Sequence, residues 1–202
     1  MAPTFSPAER DRIDEHLVAT ARRLFATQGL RRTSLDDLVG PAGIAKSSFY
    51  SFHDSKESLY LHVMLASATA NRDRLLAAVR RGRGSRSRLR RLLRETVTIL
   101  DEDPLYRRLL THPDEMRTVR DRLTAADLAE TETQLVAPLA ELVEAGQRAG
   151  EIVAGEPGVI VGVLRAVLLL PLHADEFGPA YPAVLDLLVD SVTTGLTTGS
   201  AR

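Results

Sequence analysis

The residues best suited to recognition chemistry lie in one short stretch, Ala45 to Ser51, whose sequence AKSSFYS gathers a cation and several hydroxyls around a single phenylalanine. At helical spacing it turns Phe49 inward and Lys46, Ser47, Ser48 and Tyr50 outward. A small polar and basic face of this kind suits the major groove of DNA, where hydroxyls and an ammonium meet base edges and phosphates. Lys56 stands in the first turn of the next expected helix, where free backbone N–H groups and a cation make a seat for a phosphate. Lys46 and Lys56 are the only lysines in the chain; every other cation is an arginine. Groupings that would carry catalysis are missing: there is no H-E-x-x-H, no G-x-S-x-G, no Rossmann glycine fingerprint and no cluster of histidine and carboxylate at metal spacing. The chain has no cysteine, which removes disulfides, thiolate metal sites and cysteine nucleophiles together. We therefore expect a protein that is not an enzyme and needs no metal or cofactor.

The elements that must position this face are legible from their punctuation. Ser34, with Asp37 three residues on, has the spacing of a capping box, and Leu35, Leu38 and Val39 supply the apolar side of the helix that follows. Pro41-Ala42-Gly43 is expected to end that helix, since proline cannot donate to the preceding turn and glycine accepts a left-handed conformation. Asp54 is expected to open the third helix, with Glu57 at the reciprocal capping position. Upstream, Ser6, Pro7 and Glu9 mark the start of a helix carrying Ile13, Leu17, Ala21, Leu24 and Phe25 on one stripe, and Gly29 closes it. Arg31 and Arg32 precede the capping box, placed either to reach phosphates and the minor groove or to stay solvated.

This stretch resembles the DNA-binding domain of the TetR family of transcriptional repressors, whose pattern runs roughly A-G-V-S-K-G-T-L-Y-x-x-F-x-S-K-E-x-L. The matching residues are Ala42, Gly43, Ile44, Ala45, Lys46, Ser47, Ser48, Phe49 and Tyr50, then His53, Ser55, Lys56, Glu57 and Leu59. Two positions depart from it: Ala45 replaces the usual capping serine, and His53 stands where phenylalanine is usual, with Phe52 one place earlier. The resemblance implies an all-α protein with an N-terminal three-helix helix-turn-helix domain over 1–54. A C-terminal helical domain for effector binding and dimerisation would occupy 55–202. It also implies DNA contacts: Lys46, Ser47 and Ser48 at base edges, and Thr33, Tyr50, His53 and Lys56 on phosphates, with Arg32 and Ser34 beside them.

Net charge is −1, but its distribution is uneven. Residues 1–60 carry 8 basic and 8 acidic side chains, 61–112 carry 12 and 5, and 113–202 carry 6 and 14. Such asymmetry separates functions along a chain. The basic surplus centres on Arg80 to Arg94 around Gly82-Arg83-Gly84-Ser85, which reads as a linker. The run could bind nucleic acid non-specifically. In the family's architecture the long helix before it points away from DNA, which favours a solvated basic rim. The N-terminus lacks an apolar core of signal-peptide length and reads as an uncleaved cytosolic start. The most apolar run, Val159 to Leu172, is interrupted by Gly162, Arg165 and Pro171 and falls short of the ~20 residues a membrane span needs; a buried helix is expected there, and no membrane partner.

Beyond the head the pattern is helical. A long helix runs from Ser55 to about Arg81, and others carry Leu89 to Leu100, Leu105 to Leu110, and Met116 through Leu128 to Gly150, with Pro138 bending the last. The final two, about Pro157 to His173 and Pro179 to Thr197, offer more apolar surface than a small domain covers. By resemblance they pair with their copies in a homodimer. Arg165, a cation within an apolar helix, calls for an acid, a ligand or a route to solvent. With His173, Thr96, Tyr106 and Met116 it makes up the candidate lining of an effector site. The reading that follows is a cytoplasmic, dimeric DNA-binding transcriptional regulator. It would be a repressor released from a near-palindromic double-stranded operator by a small-molecule effector. A DNA-binding protein without effector, and a ligand-binding helical protein that has lost DNA recognition, are the alternatives.

Overall fold

A computed structural model of the chain describes residues 5–112, 114, 115, 117 and 137–198. Among these the architecture is all-α, with an isolated antiparallel bridge between Ile152 and Thr197. The order is α1 (Pro7–Thr27), α2 (Gly29–Arg32), α3 (Leu35–Ala42), α4 (Lys46–Phe49), α5 (Lys56–Arg80), α6 (Gly84–Glu102), α7 (Pro104–Thr111), α8 (Ala137–Arg148), α9 (Pro157–Val167), α10 (Ala174–Phe177) and α11 (Tyr181–Leu196), with 3-10 turns at Leu170–His173 and Gly178–Ala180. The described residues divide into two compact units, 5–68 with 103–117 and 69–102 with 137–198.

In the first unit, α1 starts where its signals place it: Ser6 Oγ accepts the Glu9 N–H at 3.3 Å. Its stripe of Ile13, Leu17, Ala21 and Phe25 is buried against Leu38 and Val39 of α3, Phe49 of α4 and Leu59, Tyr60, Val63 and Met64 of α5. Burial of side chains of this size is worth about 1.5–3 kcal/mol each, and it outweighs the weak intrinsic stability of helices as short as α3 and α4. The Tyr60 ring meets Phe25 edge-on at 5.0 Å. Leu105 of α7 completes this core. Asp103, at the N-cap of α7, is the polar joint: its Oδ1 accepts the Leu105 and Tyr106 N–H groups at 3.0 and 3.3 Å, while Oδ2 accepts from Arg22 of α1 at 3.1 Å and from the Ser67 hydroxyl of α5 at 2.5 Å. A buried carboxylate with four donors is fully satisfied.

The second unit packs α6, α8, α9 and α11 around Leu89, Leu93, Val143, Ile152, Ile160, Leu164, Val167 and Val189. Ion pairs Arg90–Asp190 (3.0 Å) and Arg94–Asp186 (2.8 Å) flank the α6–α11 contact. The segment expected to be a linker is a tight turn. Gly82 is buried, and a Cβ there would fall 2.8 Å from the Arg88 backbone nitrogen; α6 starts two residues on, at Gly84.

The C-terminal helices depart from expectation in two ways. The helix beginning at Pro157 stops at Val167 and becomes a 3-10 turn containing Pro171, whose missing N–H cannot continue an α-ladder. Nor is that helix covered all round. Val159 is 61% exposed, Val163 39% and Leu169 55%, and Leu187 of α11 is 70% exposed. By length and composition Pro157–Leu196 is apolar enough to cross a membrane. Its α-helical pieces are 11, 4 and 16 residues long, each shorter than a span requires. Of the amphipathic stretch expected to lead into α8, Met116, Val119, Leu123, Leu128 and Leu135 lie outside the described residues, while Pro138 falls in the first turn of α8.

Candidate nucleic-acid interface

Helix α3 is set by its cap. Ser34 Oγ accepts the Asp37 N–H at 3.2 Å, and the Asp37 carboxylate accepts the Ser34 N–H at 2.9 Å and its hydroxyl at 2.7 Å. The two Ser34 hydrogen bonds hold the Asp37 carboxyl below its ordinary range. The helix tolerates Pro41 in its last turn and ends at Gly43, which takes the left-handed conformation (φ 67, ψ 27) and donates back to Gly40 and Val39. Only glycine adopts this conformation without strain. The chain then reverses through Ile44 into α4.

Helix α4 spans a single turn, and the missing cap serine has a visible consequence. Ala45 has the extended backbone of an N-cap (φ −74, ψ 152) but makes no side-chain cap bond. Lys46, Ser47 and Tyr50 are exposed, Tyr50 by 56%. Lys46 Nζ lies 2.7 Å from Asp36 Oδ2 of α3, an exposed ion pair that leaves the ammonium at the surface. Ser48 does not face outward as expected: it is 7% exposed, beside the buried Phe49.

Three further residues expected on phosphates are committed internally. Thr33 is buried, its hydroxyl donating to the Gly29 carbonyl at 2.8 Å and accepting from Gln28. Lys56 Nζ donates to the Thr33 carbonyl at 2.7 Å, which ties the start of α5 to the cap of α3. His53 packs between Phe49 and His62, each ring centroid 5.9 Å away, and its Nε2 lies 2.9 Å from Asp14 Oδ1 of α1 without the alignment of a hydrogen bond. Burial lowers the His53 pKa, opposed in part by the Asp14 charge. His53 is thus a neutral packing residue and not an outward phosphate contact. Phe52, displaced by one place, finds its own cover: the Phe5 ring at 5.8 Å and the Arg10 guanidinium at 4.8 Å, with Arg10 also donating to the Ser51 carbonyl at 2.7 Å. The cap of α5 belongs to Ser55, whose Oγ accepts the Ser58 N–H at 2.9 Å, and not to Asp54.

What remains outward is a compact set: Arg32 and Ser34 ahead of α3, and Lys46, Ser47 and Tyr50 on α4. Arg32 also lines a cleft of about 260 Å³ with Thr27, Gln28, Arg31, Arg108, His112 and Glu115. Sequence reasoning gave no sign that α7 would wall this cleft. Its Arg108–Glu115 pair, at 2.7 Å, rests on Gly29, whose positive φ of 82 and missing Cβ are both required there. The side chains are long and the contact lies far apart in sequence, so no local pattern announces it. Among the described residues no group of histidines and carboxylates is placed to hold a metal ion.

The residues expected around an effector fall in both units. Thr96 is buried with its hydroxyl donating to Leu92 in its own helix at 2.8 Å. Tyr106 belongs to the first unit and is half-buried. His173 is exposed and pairs with Glu176 at 2.9 Å. Arg165 is exposed, so of the three outcomes open to a cation in an apolar helix it takes the route to solvent. Met116 lies outside the described residues.

Residues 17–63 match the family model of bacterial regulatory proteins, tetR family. No curated protein sequence matches the chain. Solved structures share its fold over nearly the whole length. A TetR-family transcription regulator from Marinobacter aquaeolei VT8 aligns at 20% identity and a TM-score of 0.74, covering 96% of this chain and 100% of that one. The superantigen PfiT aligns at 18% identity and 0.71, covering 98% and 100%. RolR in complex with its ligand resorcinol aligns at 15% identity and 0.61, covering 97% and 93%. Proteins with different activities share this scaffold, so the fold by itself does not carry the function.

Proposed function

We propose, for a chain that carries a TetR-family head on the TetR-regulator fold, that it is a dimeric DNA-binding transcription regulator whose operator contacts come from Lys46, Ser47 and Tyr50 with Arg32 and Ser34. The observation that carries this reading is the α3–Gly43–α4 reversal, which presents a polar and cationic one-turn helix on a rigid apolar core. Lys56 and Thr33 act through each other to fix the α3 cap, so that backbone N–H groups at the starts of α3 and α5 are held ready for phosphate. The test is binding of the purified protein to the DNA upstream of its own gene against scrambled DNA, beside a Lys46→Ala, Tyr50→Ala double variant. Specific binding lost in the variant bears the reading out; equal weak binding of both DNAs sinks it.

Two finer points belong to the same proposal. The open face of α9 and α11, with Val159, Val163, Leu169 and Leu187 around the small Gly162, Ala166 and Gly195, fits the same face of a second copy. Exposed apolar patches of this kind mark interaction sites, and small residues let two helices approach closely. Repression relieved by a small molecule is the mode proposed, with Thr96, Tyr106, Met116, Arg165 and His173 the candidate contacts. RolR, which holds resorcinol on this fold, lends support to a small aromatic effector. An effector works only by preferring the arrangement that does not fit DNA. Thermal shifts with small phenols and carboxylates test it, with Arg165→Met expected to lose the response while keeping DNA affinity.

A further inference from the structure

The turn from α5 into α6 concentrates charge in a way the head does not use. From Arg80 to Arg94 the chain has eight arginines and no acid, in a protein whose net charge is −1. All eight are exposed. The acids that face them from neighbouring elements are already committed: Asp190 to Arg90, Asp186 to Arg94, and Glu151 to the Ser85 N–H and hydroxyl at 2.8 and 2.7 Å, with Arg88 nearby. Arg80, Arg81, Arg83, Arg86 and Arg91 have no acidic partner among the described residues. Leaving five like charges together is unfavourable unless a counter-charge meets them.

The scaffold beneath them is fixed. Gly82 is pressed against the α6 backbone, Gly84 has a positive φ of 77, and Glu151 clamps the first turn of α6. The guanidinium groups are therefore presented from a rigid elbow and not from a flexible tail. Their chemistry narrows the partner. Arginine forks match phosphate oxygens in pairs. Between Leu61 and Leu105 there is no phenylalanine, tyrosine or tryptophan, so nothing is available to stack on an unpaired base. No large hydrophobic side chain is exposed in that span either, which leaves nothing to enter a bilayer or to form the apolar centre of a protein interface.

We propose that the α5–α6 elbow is a second nucleic-acid surface, one that holds the phosphates of duplex DNA without reading sequence. It does not depend on the head being a sequence reader. The experiment measures binding of the full chain to a random-sequence 30-base-pair duplex by fluorescence anisotropy across a salt series. The proteins compared are the natural chain, an elbow variant (Arg83→Gln, Arg86→Gln, Arg91→Gln), a second elbow variant from the other side (Arg80→Gln, Arg81→Gln) and the head variant (Lys46→Ala, Tyr50→Ala), all matched by circular dichroism and melting temperature. The expected result is that the head variant still binds the random duplex, while the triple elbow variant loses affinity and its slope of log affinity against log salt falls by about 2 to 3, one unit per phosphate contact. The double elbow variant should lose about two units and serves alone if the triple does not fold. Unchanged affinity and slope in both elbow variants overturns the proposal. So does loss of random-duplex binding in the head variant alone. Binding to vesicles of 30% phosphatidylglycerol in phosphatidylcholine with none to duplex also overturns it, in favour of a membrane surface.

Discussion

His53 Nε2 lies 2.9 Å from Asp14 Oδ1, and 9% of the His53 side chain is exposed. The contact joins the turn after α4 to α1, and burial outweighs the carboxylate, so the folded-state pKa sits below the ordinary 6.5. A folded histidine that resists protonation stabilises the fold fully above about pH 6.5, and that stability is lost as pH falls below it, because the unfolded chain then binds the extra proton. His53→Phe, which restores the aromatic usual at this place, should flatten the melting temperature between about pH 7.5 and 5.5. A variant as pH-sensitive as the natural chain would show that another group titrates there.

Ala45 has the backbone of an N-cap without the side chain to act as one. Ala45→Ser supplies the missing acceptor and should stabilise the protein by about 0.5–1 kcal/mol, read as a higher midpoint in urea at unchanged slope. Tighter operator binding should accompany it, since a firmer α4 loses less freedom on docking.

The Ser34–Asp37 capping box makes the opposite prediction. Ser34→Ala removes an acceptor for the Asp37 N–H and a donor to its carboxylate, and should cost about 1 kcal/mol. In the natural chain the carboxylate half of the cap is present at neutral pH and is lost as pH falls through the depressed Asp37 pKa, so the gap between natural and variant stability should narrow in acid without vanishing, since Ser34 Oγ still accepts the Asp37 N–H.

Gly29 carries two constraints at once, a left-handed backbone and a packed neighbour. Gly29→Ala should destabilise by about 2–4 kcal/mol, since strain at positive φ adds to displacement of the Arg108–Glu115 pair. Pairing it with Arg108→Ala should recover the packing part but not the backbone part, a non-additivity that a double-mutant cycle in urea measures.

For the open face of α9 and α11, Leu187→Arg places a charge where a second copy would sit. Sedimentation should shift from dimer to monomer, with the fold retained because Leu187 is already 70% exposed. An unchanged sedimentation profile would remove this face from the proposed assembly.

The sequence by itself determined the head. Ser6, Ser34 and Gly43 act on their own neighbours, so cap, turn and helix are local decisions, and the stripe from Ile13 to Phe25 leaves one way to bury it. The outward placement of Lys46, Ser47 and Tyr50 follows from the same local spacing. The tertiary structure decided whatever depended on residues distant in the chain. It turned Ser48 inward, beside Phe49. It buried Thr33 and drew Lys56 onto its carbonyl, turned His53 toward Asp14 because Phe52 took the outer place under Phe5 and Arg10, and set the α7 pair against Gly29. It also placed Arg165 in the open, settling which of an acid, a ligand or solvent meets its charge. Hydropathy records that a residue is apolar or charged, but only packing decides which side of its helix another element covers.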